Sequence, residues 1–289
     1  MDDNLLPAQA TAFALPAASV LALHGADAVK FAQAQFMSDV ASLADGQWQW
    51  SGWLTPKGRL VAFFALLRFD AQTLWLLLPD ADADGLREAL QRYVFRSKVV
   101  LEARRDLRVS GAVSPPAIAR AAQLSAAGDG TVEVDLGTPE TARVVHIGAR
   151  SMPADAGKAA EWMAFDLLHG LPRLDVAQSG HWTPQQLSLD RLRAYSVKKG
   201  CYPGQEIVAR THFLGQAKRG LRLFDSDASV DTGSDVLDGE QVVGTIVSRV
   251  AVDTGSVLLA VLPLEHSMHG LTAAGAPLRA QPLQEGLAR

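Results

Sequence analysis

Residues 47–54 read QWQWSGWL, in which Trp48 and Trp50 alternate with glutamines, the period-two signature of a strand with one buried face. TPKGR follows, with Pro56 and Gly58 placed for a type I turn. Two short apolar runs come next, LVAFFALLRF from residue 60 and TLWLLLP from residue 73. Both are too short to span a bilayer, so they predict buried strands and, with the first, an antiparallel meander. Helical spacing brackets this unit. In DAVKFAQAQFMSDV, residues 27–40, Val29, Phe31, Ala32, Phe36 and Val40 share one side behind Asp27. Asp82 is the expected cap of a second helix carrying Leu86, Leu90, Tyr93 and Val94, ending in the basic FRSK before a strand, VVLEA. A third helix is expected through Trp162, Phe165 and Leu168, stopped by Gly170 and Pro172. Residues 110–157, rich in Ala, Gly and Ser, predict only small strands and loops. After Lys218 short strands alternate with Gly and Asp turns, the pattern of a small β-barrel or sandwich. The class is α+β.

Composition narrows the picture. The chain has 289 residues, 48% hydrophobic and 20% charged, enough for a sizeable core and two or three domains. Its net charge of -4 gives no global attraction to nucleic acid, so a direct nucleic-acid ligand is disfavoured, although local basic patches are compatible with it. A single cysteine excludes an intramolecular disulfide framework and suits a reducing compartment, the cytoplasm being simplest. The acidic start, broken by Pro7 and Pro16, reads as neither a secretory nor a mitochondrial leader.

That cysteine sits in KKGCYPGQEIVAR, residues 198–210. Tyr202-Pro203-Gly204-Gln205 fits a type II turn, and Ile207, Val208, Thr211 and Leu214 then form a helical face ending at Gly215. Cys201 is thus expected just ahead of a helix N-terminus, where free N–H groups, the helix dipole, Lys198, Lys199 and Arg210 favour a thiolate. The alternative is an inert buried filler, for which so specific a frame of Gly, Pro and charge is unnecessary. A thiol hydrolase would need a histidine base, and no local signature assigns that role to His212. His266 and His269 lack further neighbouring ligands and read as solvated, not metal-bound.

The run KGCYPGQEIVAR closely resembles the K-G-C-Y-x-G-Q-E signature of the YgfZ family, tetrahydrofolate-binding proteins implicated in iron–sulfur protein maintenance and related to the glycine-cleavage T-protein. LHGADAVKFAQAQFMSDV, LTPKGRLVAFF, RYVFRSKV, HGLPRL and TPQQLSLD support the likeness, which covers most of the chain and is weak over about residues 110–157. The resemblance implies a three-domain ring around a cavity for tetrahydrofolate or another reduced folate. A discontinuous folate domain (1–45 and 105–217) would be interrupted by an α+β antiparallel unit (46–104), with a β-barrel last (218–289). Cys201 and Lys199 are the implied reactive residues. Glu206 could accept two hydrogen bonds from a pterin, and Gln205 belongs to the same signature. Lys57, Arg59, Arg96, Lys98 and Arg210 are candidates for the glutamate tail, each also readable as a solvated charge. Tyr202 either stacks on the ligand or packs, and Asp39 is either a ligand residue or a helix-end polar group. Gly200 and Gly204 shape the backbone.

T-protein enzymes resemble GGVIDDL at the hairpin, where an acidic residue assists aminomethyl transfer; here GRLVAFF puts Ala62 and Phe63 there. The implied function is therefore a folate-binding accessory protein for iron–sulfur cluster assembly or repair, supporting tRNA-modifying iron–sulfur enzymes. Its partners would be assembly factors or client enzymes, with no membrane and no direct nucleic acid. The alternative is a tetrahydrofolate-dependent aminomethyltransferase or demethylase. One cysteine cannot hold a cluster alone.

Overall fold

A computed structural model of the chain describes residues 11–213 and 217–289. Among them, three antiparallel sheets are built with four α-helices: α1 (Ala28–Gln35), α2 (Ala83–Gln91), α3 (Ala156–Leu168) and α4 (Gln205–Phe213). The expected meander is present, with Gln47–Leu54 paired to Leu60–Arg68 and that strand to Thr73–Leu78. Its hairpin turns at Thr55–Gly58, where the Gly58 N–H donates to the Thr55 carbonyl at 2.9 Å and Gly58 has φ +69°.

Two elements depart from the expected outline. Ser19–His24, assigned from sequence to the interrupted first unit, lies inside the meander sheet between Thr73–Leu78 and Val100–Ala103, so residue 46 is not a sheet boundary. The reason is burial on both faces: Val20 joins the central core while Leu21 and Leu23 join the layer under α1 and α2. Helix α1 stops at Gln35 instead of running to Val40. Phe36 turns extended, bridges Trp53 and meets the Phe64 ring edge-on at 5.0 Å, while the Gln33 side chain accepts from the N–H groups of Val40 and Ala41. A buried aromatic site thus overrides helical spacing that continues in the sequence. Helix α2 is capped by Asp82 as expected but ends at Gln91, leaving Tyr93 and Val94 beyond it.

The uninformative stretch 110–157 completes a second sheet, in the order Phe13–Ala14, Arg108–Ala112, Val144–Gly148, Val132–Asp135, Ser125–Ala126. Helix α3 packs on it so closely that a Cβ at Gly111 would lie 3.0 Å from the Trp162 ring. The C-terminal strands, from Arg219–Ser226 to Arg279–Gln281, form a nearly closed seven-stranded barrel with its own core around Phe224, Ile246 and Leu258. One apolar cluster joins all three sheets, taking Trp48 and Trp50 from the meander, Val134 and Val145 from the second sheet, Leu223 and Val247 from the barrel, and Tyr202 and Val208 from the cysteine segment. Each large side chain buried there contributes about 2 kcal/mol, which makes the junction a core and not a hinge. Among the described residues no helix is long and apolar enough to cross a membrane. The expected helix end at Leu214 and Gly215, like Pro7, falls outside the described residues.

Candidate functional site

The cysteine segment is built as its residues suggest. Gln205 N–H donates to the Tyr202 carbonyl at 3.1 Å and Gly204 has φ +78°, the type II turn, after which α4 begins. Helix α4 is anchored by buried Val208, whose carbonyl accepts from Gln185 Nε2 at 3.0 Å. Cys201 is a free, exposed thiol just before this turn, not a buried filler.

The two glycine turns singled out in sequence meet each other. A Cβ on Gly204 would lie 2.6 Å from Gly58 Cα and 2.7 Å from the Thr55 carbonyl oxygen, and one on Gly58 would lie 2.9 Å from Ile207 Cβ. The meander hairpin therefore rests backbone to backbone on the start of α4. That approach is open only to glycine.

Lys199 is turned inward. It is 6% exposed, and its Nζ donates to the carbonyls of Gln33 at 2.6 Å, Phe36 at 2.6 Å and Ser38 at 2.8 Å. Burial pushes its pKa down to about 8, and the nearby Asp39 charge opposes that shift. The ammonium also sits 4.9 Å from the Tyr202 ring centre. Tyr202 packs: it is buried, its hydroxyl lies 3.2 Å from the Ser196 carbonyl, and burial raises its pKa to about 12. Gln205 Nε2 donates to the Lys199 carbonyl at 3.0 Å. Asp39 is a polar group beyond the end of α1, accepting from Gln33 Nε2 at 3.0 Å. Arg59 donates to the His181 carbonyl and to Gln186 Oε1. Lys57, Glu206 and Arg210 are exposed. Lys199, Tyr202 and Gln205 thus hold the loop, while Cys201, Glu206, Arg210 and Lys57 face outward around it.

Two cavities adjoin the meander sheet. One, of about 370 Å³, runs along Leu60–Phe63 and is closed by Pro79–Asp82, α2 and residues 172–179. The other, of about 150 Å³, lies between Trp50, Trp162, Met163 and Leu171, with Asp166 and Arg173 on its wall. Neither is lined by residues 199–210. Ala62 and Phe63 both line the larger one.

The second cavity borders a charged cluster absent from the sequence reading. Arg143, 1% exposed, donates to Asp166 Oδ1 at 2.7 Å and lies over the Trp162 ring at 3.8 Å. Burial lowers its pKa and Asp166 opposes that. Arg173 donates to Asp166 Oδ2 at 2.9 Å and grips both oxygens of Asp80, while its backbone exchanges hydrogen bonds with Ser248. Desolvation of Arg173 is outweighed by these carboxylates, so its pKa rises. The signal available in sequence was Asp166 itself, an acid one helical turn from Trp162 on an apolar face.

No protein-family model matches the chain. A protein of Klebsiella pneumoniae (strain 342) named tRNA-modifying protein YgfZ is 30% identical over 270 residues, 83% of this chain and 81% of its own length. The protein of that name from Escherichia coli O157:H7 is 28% identical over 265 residues, 83% and 81% of the two chains. An uncharacterised Haemophilus influenzae protein is 30% identical over 243 residues, 81% and 82%. Among solved structures, the glycine cleavage system aminomethyltransferase T from Bartonella henselae superposes with a TM-score of 0.74 over 96% of this chain and 86% of its own, at 16% identity. The expected T-protein type of fold is therefore present, and the chain belongs to the YgfZ family.

Proposed function

We propose that the protein binds a reduced folate and serves iron–sulfur enzymes that modify tRNA, with Cys201 as its reactive group. The observation that carries this reading is an exposed lone thiol on a loop fixed by Lys199, Tyr202 and Gln205. The name tRNA-modifying protein, borne by relatives, supports the biological setting. With one cysteine in the chain, any cluster touching Cys201 takes its other ligands from a partner.

The larger cavity suits a folate in size and walls. Its volume of about 370 Å³ falls in the range of small-molecule sites, and Leu60, Phe63 and Leu174 offer apolar surface to a flat ring. Asp80 and Asp82 on its wall are engaged, by Arg173 and as the α2 cap. Glu206 is the carboxylate we assign to the pterin N–H groups. Glu206 does not line the cavity, so a folate that meets both would have to span the hairpin between Leu60, on the cavity wall, and Gly58, which abuts Ile207. Lys57 and Arg210 would hold the tail carboxylates. A bound reduced folate would supply one-carbon chemistry. Ala62 and Phe63, a methyl group and a phenyl ring on the cavity wall, cannot polarise an amine, which favours an accessory role over aminomethyl transfer or demethylation.

Calorimetric titration with tetrahydrofolate tests ligand and site together: wild type should bind, and Glu206→Ala should bind about ten-fold or more weakly through loss of charge-assisted hydrogen bonds. In a strain lacking the gene, Cys201→Ser should fold yet fail to restore iron–sulfur enzyme activity. Absence of binding heat defeats the folate assignment. Full restoration by Cys201→Ser defeats the role of the thiol, and steady formation of methylene-tetrahydrofolate from an aminomethyl or methylated donor would favour the transferase alternative.

A further inference from the structure

The chain carries 31 acidic residues, and four of the stretches without one are 46–69, 89–101, 191–205 and 207–224. The fold brings parts of all four together. Trp53 meets the Tyr93 ring edge-on at 5.6 Å and bridges Phe36, whose carbonyl accepts from Lys199 Nζ, while the adjoining hairpin abuts α4 at Ile207. Around this junction Lys57, Lys198 and Arg210 are exposed, and exposed Arg92 and Arg96 flank Tyr93. Among the described residues, none of these five has a carboxylate within ion-pair distance. Elsewhere Arg105 is paired with Asp84, Arg191 with Glu285 and Arg279 with Asp227, while exposed Arg108, Arg120, Arg150 and Arg193 have no carboxylate within ion-pair distance among the described residues. Exposed apolar side chains lie on the same segments: Phe95 is 86% exposed and Phe213 68%, with Ile207 also exposed.

We propose that this face is a docking surface for an acidic protein segment, with Phe95 as its anchor. Exposed large apolar groups lose their hydration cost when covered, and aromatic and arginine side chains dominate the centres of protein interfaces. Five unpaired cations select a negatively charged partner and speed its encounter. Nucleic acid would also meet these cations. It would gain little from covering aliphatic Ile207 and the Phe95 ring, which a protein segment buries. The exposed thiol of Cys201 lies next to Lys199 and Tyr202 in the same junction, so docking here delivers the partner to the reactive loop. With a folate bound as proposed above, Lys57 and Arg210 engage the ligand, and Phe95, Arg92, Arg96 and Lys198 carry the docking.

The test places the photo-crosslinking residue p-benzoylphenylalanine at position 95 of the full chain and, as a control, at the exposed barrel position Val242, with irradiation in cells. Position 95 should give a ribonuclease-resistant protein adduct in clear excess over position 242, and the crosslinked peptide, sequenced by mass spectrometry, should be acidic. The purified partner so identified should bind the wild-type chain with an affinity that falls about five-fold or more in Arg92→Glu and at raised salt. Tetrahydrofolate titration of Arg92→Glu should match wild type, which separates failure of docking from failure of the folate reading. Equal yields at the two positions, a ribonuclease-sensitive adduct, or indifference to Arg92→Glu overturns the proposal.

Discussion

All three N–H bonds of Lys199 end on carbonyl oxygens from the last turn of α1 and the residues after it. The side chain thus acts on the thiol loop from beneath, as a clamp. Lys199→Met leaves three carbonyls without their donor and should cost about 3 kcal/mol, read as a lower urea midpoint at pH 7. The pH dependence has a definite sign. Its folded pKa of about 8 lies below the ordinary lysine value of 10.5, so between these values the unfolded chain holds a proton that the folded chain has released. Unfolding free energy then rises with pH across that window, since the penalty for burying the charge is present in full below about pH 8 and is relieved above it. The stability gap between wild type and Lys199→Met should widen from pH 8 to pH 10. A constant gap would remove the titration from Lys199.

At the scale of elements, the contact of the hairpin with the start of α4 sets the position of the thiol loop. Gly204→Ala combines a positive φ with a Cβ driven into the Gly58 backbone, and should cost about 3 kcal/mol and quicken alkylation of Cys201. Gly200→Ala, on the other side of the thiol and with nothing within 4 Å of its added Cβ, should change stability by less than about 0.5 kcal/mol. Equal effects would show that general loop flexibility, not backbone approach, is what the glycines provide. Both turns were legible in sequence because Pro and Gly fix local dihedrals. Their contact was not, because it joins residues far apart in the chain. The same limit explains why Ser19–His24 entered the meander sheet unannounced, and why helical spacing overran the true end of α1 at Gln35. Around the thiol, the signature did not say which side chains face in; Lys199 turned inward because the bare carbonyls at the end of α1 needed donors.

Across the whole molecule, one buried cluster touches every sheet. Arg143 comes from the second sheet, Asp166 from α3, Asp80 from the end of a meander strand, and Ser248 from the barrel, with Arg173 at the crossing. Asp166 is the pivot, since one oxygen serves Arg143 and the other Arg173. Asp166→Ala leaves the buried guanidinium of Arg143 without its carboxylate and should cost about 3–5 kcal/mol. Arg143→Met in the same chain removes the stranded charge and fills its volume against Trp162, so the double variant should be more stable than Asp166→Ala alone. Calorimetry of the single and double variants measures this directly. If the two losses simply add, Arg143 and Asp166 act independently, and cohesion of the three sheets rests on the shared apolar cluster alone. Recovery in the double variant instead means that the charge pair specifies how the sheets meet while the apolar cluster supplies most of the energy that holds them, so the cavities keep their shape only while both are intact.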